Sequence, residues 1–147
     1  MRAVVTRVSS ASVEIDGIVE GAIDNGLLVL LGIKTGDTKA DAEKLASKIC
    51  NLRIFGDSEG KMNLDLSGVS GSILVISQFT LFADTKSRRP GFTEAARPDT
   101  AIPLYEHFVA QCRNAGFRTE TGIFGAMMAV KSVNDGPVTI ILDTEIR

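Results

Sequence analysis

The first quarter of the chain reads in strand-length runs of apolar and polar residues, and helical spacing appears only afterwards. Residues 2–8, RAVVTRV, read as a strand, and residues 11–15 and 18–24, ASVEI and IVEGAID, flank Asp16-Gly17. Asp-Gly between alternating runs signals a hairpin, because both residues tolerate the positive φ of a tight two-residue turn. Asn25-Gly26 marks a second turn, and residues 26–33, GLLVLLGI, are apolar on both faces, as a buried strand requires. Four short strands joined by tight turns imply antiparallel pairing, since parallel neighbours need a crossover.

Helical spacing begins at Thr38, which with Asp41 resembles a capping box. Ala42, Leu45, Ile49 and Leu52 repeat along one face, leaving Lys39, Asp41, Glu43 and Lys48 to water. Residues 53–56 read as extended, 57–60 as a turn, and 61–66 carry no decisive pattern. Ile73 to Ile76 form a buried strand that ends in Ser77, Gln78 and Thr80, interleaved with Phe79, Leu81 and Phe82. A second helix is expected from a cap at Thr100, with Pro103 in its first turn, where a missing N–H costs nothing. Its stripe is Ile102, Tyr105, Val109 and Cys112, and Gly116 stops it. Residues 117–133 are strand-like, 134–137 read as a turn, and PVTIILDT is a last strand. The pattern predicts one domain over residues 1–147, of α+β class: an antiparallel, β-barrel-like sheet with two main helices packed against it.

Composition changes this picture little. A chain of 147 residues with 44% hydrophobic and 23% charged residues is long enough for a full core. The longest apolar run, Leu27 to Leu31, is too short for a membrane span, and MRAVVTRV does not resemble a signal peptide, so a cytoplasmic protein away from membranes is expected. Cys50 and Cys112 fall among apolar neighbours and read as buried free thiols. His107 has no cysteine or second histidine at ligand spacing, so a zinc site is not expected. A net charge of −2 argues against non-specific coating of nucleic acid but leaves room for a local contact with a few phosphates.

Candidate chemistry gathers between Gly71 and Phe92. Hydroxyls and an amide at the end of a buried strand need partners, because an unpaired buried polar group costs about 1–3 kcal/mol. Period two would place Gln78 and Thr80 on one face, with Ser77 and Phe79 on the other. Lys86, Arg88 and Arg89 follow as a cationic loop: either a solvated loop or a phosphate contact. Thr80 as a nucleophile lacks an obvious base, the lone histidine being on the second helix. Gly125, Ala126, Met127 and Met128 fit either core packing or a backbone-lined slot for a flat ring. Gly136-Pro137 reads on residue type as an ordinary turn entering a strand, cis X–Pro bonds being the minority. A cis bond there would point adjacent carbonyls the same way, as a rigid backbone wall.

Taken together, RVSSASVEIDG (7–17), GLLVLLGI (26–33), RIFGDSEGKMN (53–63), SQFTLFAD (77–84), RRPGFTEAA (88–96), TGIFGAMMAV (121–130) and NDGPVT (134–139) resemble the D-aminoacyl-tRNA deacylase family over nearly the whole chain. One departure is the loop DTKSRRPGF, without the Lys-Gly pair before the arginines and the serine before the phenylalanine that relatives often carry. The resemblance implies a homodimeric, cofactor-free hydrolase of the ester between a D-amino acid, or glycine, and the 3′ end of tRNA, with no DNA partner. It implies a cis Gly136-Pro137 inserted into the partner's pocket, fixed by Arg7, whose carbonyls bind the amino group. Backbone N–H groups around Gln78 and Phe79 would polarise the ester carbonyl, with Ser77 and Thr80 in the same catalytic stretch and Thr80 in a positioning role. Phe124, Gly125, Ala126 and Met128 would hold the adenine, and Lys86, Arg88 and Arg89 would contact the RNA. Two other readings fit the same residues: a non-catalytic module for the tRNA acceptor end, and a threonine-nucleophile esterase.

Overall fold

A computed structural model describes residues 1–146. Strand β1 (Arg2–Ile15) is the spine. Asp16 and Gly17, with φ of 51° and 79°, turn it into β2 (Ile18–Ile23), the hairpin that Asp-Gly predicts. Strand β3 (Gly26–Gly32) returns beside the first half of β1, and β8 (Ala129–Asp143) pairs antiparallel along nearly all of it. Residues 2–8 and 11–15 are therefore one strand rather than two.

Helix α1 (Lys39–Cys50) starts at the expected capping box, with Thr38 and Asp41 each satisfying the other's backbone N–H. After it come a small hairpin, β4 (Phe55–Gly56) with β5 (Met62–Leu64), and then β6 (Ser72–Ser77). Helix α2 (Pro98–Asn114) leads to β7 (Thr119–Thr121). The pairings β3–β6 and β6–β7 are parallel, so the sheet is mixed and not antiparallel throughout. The reason lies in the connections: α1 and α2 each provide the crossover that lets consecutive strands run the same way. Pro98, not Thr100, opens α2, and Pro103 lies inside it.

Both helices cover one face of the sheet over a core that includes Leu27, Leu31, Leu45, Ile49, Ile73 and Phe108. A second cluster, Val8, Val13, Ile23, Leu28, Leu74 and Ile76, fills the inside of the sheet's curl. Cys50 and Cys112 are free and buried, as their neighbours imply. No helix among the described residues is long and apolar enough to cross a membrane.

Candidate active site

Both walls of one cleft hang from β6. At its end Gln78 leaves the strand (φ −142°, ψ 81°) and Phe79–Phe82 wind into a 3-10 turn. Gly32 permits this: a Cβ there would lie 3.0 Å from Leu81 Cβ and 3.1 Å from the Gln78 carbonyl oxygen. The turn is held from two sides. Gln78 N–H donates to Leu31 O at 2.8 Å, and Arg2 Nη1 donates to Leu81 O at 2.8 Å with its guanidinium 4.7 Å over the Phe82 ring. Strand alternation of Gln78 and Thr80 therefore does not occur; instead the Gln78 amide donates to Thr80 Oγ1 across the turn. Gln78 N–H is already committed, whereas the N–H groups of Phe79 and Thr80 meet no acceptor among the described residues.

The opposite wall is the turn Phe124 to Met128 between β7 and β8. Ala126 N–H donates to Ile123 O at 3.2 Å, and Gly125 takes φ +80°. Phe124 meets Tyr105 edge-on at 6.0 Å. The Tyr105 hydroxyl donates to Val75 O at 2.8 Å, and burial pushes its pKa up to about 12. Phe124 is thus tied through α2 to the same strand that carries Ser77. The cleft between the walls measures about 280 Å³ and is lined by Ser77, Gln78, Phe79, Phe124 and the stretch through Met128. Thr80 stands exposed just outside this lining. Among the described residues no base is hydrogen-bonded to Thr80 Oγ1, whose partner is the Gln78 amide, and His107 Nε2 is 2.9 Å from Glu43 Oε1, across the two helices.

The cationic loop sits next to this cleft. Asp84 and Gly91 exchange backbone hydrogen bonds of 2.7 and 2.9 Å, closing the loop at its base. Phe92 then packs edge-on against Phe79 at 5.1 Å. Lys86, Arg88 and Arg89 are exposed, and none forms an ion pair among the described residues.

Gly136-Pro137 lies elsewhere. The bond is cis, against the ordinary turn that residue type alone favours, and it sits within β8 where the ladder with β1 slips register. Arg7 braces it, donating from Nε to Asp135 O (3.1 Å) and from Nη1 to Ile54 O (2.7 Å). Asn134 Oδ1 accepts from Val138 N–H at 3.1 Å. The pair does not line the cleft of its own chain. Val130 does, and the extended run from there to Gly136 covers roughly 20 Å at about 3.3 Å per residue.

The profile of the D-Tyr-tRNA(Tyr) deacylase family matches residues 4–143. The chain belongs to this family. It is an ester hydrolase by that membership. It is 58% identical over 148 residues to the D-aminoacyl-tRNA deacylase of Dehalococcoides mccartyi, covering 100% of this chain and 97% of that one. The D-aminoacyl-tRNA deacylase of Thermosipho africanus is 55% identical, over 99% of this chain and 98% of that protein. Among solved structures, the c-Myc DNA unwinding element binding protein superposes with TM-score 0.93 at 41% identity, covering 98% of this chain and 99% of that one. A probable eukaryotic D-amino acid tRNA deacylase shares the fold with TM-score 0.79 at 16% identity, over 96% and 97% of the two chains.

Family membership leaves four supporting residues that the sequence reading passed over: Gly32, Arg2, Tyr105 as a tether, and Phe92. Gly32 had a signal, a glycine closing an apolar strand. Arg2, Tyr105 and Phe92 had none, because their partners Leu81, Val75 and Phe79 are distant in sequence or reached only by the fold.

Proposed function

We propose that the chain hydrolyses the ester of D-aminoacyl-tRNA, and of glycine mischarged on tRNA, while sparing L-aminoacyl-tRNA. The observation that carries this reading is the cleft with Gln78 and Phe79 on one side and Phe124 to Met128 on the other. Phe124 offers a ring and Gly125 and Ala126 offer main chain to the terminal adenine. That places the ester toward the 3-10 turn, where the unpaired N–H groups of Phe79 and Thr80 polarise its carbonyl. Of the N–H groups expected around Gln78 and Phe79, that of Gln78 is spent on Leu31 O, and those of Phe79 and Thr80 remain. Thr80 Oγ1, already accepting from the Gln78 side chain, positions rather than attacks. An aminoacyl ester is activated enough that orientation, a polarised carbonyl and water suffice.

The enzyme acts as a homodimer in which Gly136-Pro137 of one subunit enters the cleft of the other. Two features support this. The motif is braced, exposed and roughly 20 Å from its own cleft. It also lies on a strand whose apolar Val133 and Ile141 are 56% and 70% exposed. Its carbonyls take the substrate's amino group, and its backbone occupies the space an L side chain needs; glycine, without a side chain, passes. Lys86, Arg88 and Arg89 meet phosphates of the acceptor end. One relative is named for binding a DNA unwinding element, but a net charge of −2 and one small cationic loop fit a short RNA contact better than a duplex.

The test is hydrolysis of matched D-Tyr-tRNA and L-Tyr-tRNA by the purified protein with chelator present. Rapid loss of the D ester alone is expected. Equal loss of both would overturn the chirality filter, and binding without hydrolysis would leave an acceptor-end binding module.

A further inference from the structure

A second cleft, of about 320 Å³, backs onto the first and shares Phe124 with it. Its floor is apolar, from Ile102 and Val109 of α2, and Ile123 forms a rim that is 48% exposed. Two polar side chains of α2 stand at its edge, Glu106 and Arg113. Arg113 gives Nε and Nη2 to the Thr119 carbonyl, at 3.3 and 2.9 Å, and forms no ion pair with a carboxylate among the described residues. A net cation, a free carboxylate acceptor and an apolar platform thus meet one phenylalanine away from the adenine wall.

We propose that this cleft takes the nucleotide preceding the terminal adenosine, so that the enzyme reads two nucleotides of the acceptor end; this rests on the deacylase reading above. tRNA ends in cytidine followed by adenosine. Cytosine presents an exocyclic N4 amino group, which a carboxylate accepts, whereas uracil presents O4, an acceptor that Glu106 repels. Ile123 and Val109 supply the contact surface for the base, and the charge of Arg113 neutralises the linking phosphate. Phe124 then separates two stacked or splayed bases and serves both clefts. The cationic loop lies on the other flank, beside Phe79, and acts on phosphates further from the ester.

The experiment compares kcat/KM for D-tyrosyl-adenosine, D-tyrosyl-CpA, D-tyrosyl-UpA and D-Tyr-tRNA. CpA is expected to exceed adenosine roughly tenfold and to exceed UpA, because an added base contact strengthens binding by that order. Glu106→Gln should narrow the gap between CpA and UpA, and Ile123→Ala should reduce the CpA gain. Both should leave hydrolysis of D-tyrosyl-adenosine within about twofold, which also shows that the variants are folded. The inference is overturned if CpA is no better than adenosine, or if the gain survives both substitutions. It is equally overturned if the gain disappears only when Lys86, Arg88 and Arg89 are replaced by alanine. A wild-type enzyme that cleaves D-tyrosyl-adenosine and D-Tyr-tRNA equally fails this inference alone; one that cleaves no D-tyrosyl ester fails the deacylase reading itself.

Discussion

Strands β6 and β8 are built to opposite rules. In β6, Ile73, Leu74, Val75 and Ile76 are all buried, with parallel neighbours on both sides. In β8, every residue from Ala129 to Pro137 is exposed, and among the described residues the strand pairs only with β1. The first is a fixed beam from which the cleft hangs: Ser77 continues it, and Tyr105 ties Phe124 to it. The second carries Gly136-Pro137 on an open face. A site that uses both strands, as proposed above, would be completed by a second copy, and the two halves should therefore fail in different ways when altered.

The largest effect is expected in β6. Leu74 is 0% exposed in the inner cluster, so Leu74→Ala leaves a cavity and should cost about 2–5 kcal/mol in denaturant unfolding. A cost below about 1 kcal/mol would show that the curl of the sheet is not a rigid support.

In β8 the damage should be to activity, with the fold of the subunit kept. Gly136 has φ +124°, and a Cβ there would sit 2.7 Å from Arg7 Nη2 and 3.0 Å from Val138 Cγ2. Gly136→Val must displace the Arg7 brace, and misplacement of about 1 Å at a site costs roughly a hundredfold in kcat/KM for D-Tyr-tRNA. The strained valine should lower the melting temperature, while circular dichroism at the assay temperature should show the fold kept. Activity near wild type would remove the motif from the site. Next in size, Val133→Asp puts a carboxylate on the exposed apolar face. It should weaken self-association by roughly thirtyfold, about 2 kcal/mol, in sedimentation equilibrium. Deacylation should fall in step with dimer dissociation; a monomer that stays fully active would end the cross-subunit reading.

Thr80→Ala sharpens the comparison on the β6 side and should be mild. The hydroxyl accepts from the Gln78 amide and is hydrogen-bonded to no base among the described residues, so kcat should fall by less than about tenfold, measured on D-Tyr-tRNA. Trapping of an acyl-enzyme in wild type, lost in the variant, would restore Thr80 as nucleophile.

Which parts were legible beforehand follows the same division. The Asp16-Gly17 hairpin, the Thr38–Asp41 box and the buried run of β6 are local events, and local residues specify them. Parallel pairing was not legible from the tight turns of the opening strands, because it is decided later, by the crossovers through α1 and α2. The turn after Ser77 was misread as strand because its cause, the bare Cα of Gly32, lies on another strand. At Gly136-Pro137 the residue pattern suggested a break between strands. The chain instead stays within one long strand by slipping register against β1, since proline needs only to lose one ladder bond. Site residue types could be read; the separation of Gly136-Pro137 from its own cleft could not, because which residues line the cleft is decided by how the turn before β8 faces the turn after β6.

The smallest effect concerns pH and joins the end of β8 to the turn after β6. Burial works to raise the Asp143 carboxyl, but the hydrogen bond from Glu145 N–H and the Arg2 guanidinium outweigh it, so the group titrates below the ordinary carboxylate range. Arg2 Nε donates to Asp143 Oδ2 at 2.8 Å while its Nη1 holds Leu81 O. A depressed folded pKa means stability present above the unfolded value, about 4, and lost as pH falls through the folded one. Asp143→Asn should therefore be slightly less stable than wild type at neutral pH, with the difference closing in acid. Because Arg2 also holds Leu81, the variant should lose a little kcat at neutral pH as the 3-10 turn loosens. A stability difference unchanged down to about pH 2 would mean that the pair contributes by packing, and that charge plays no part in fixing the turn to the strand.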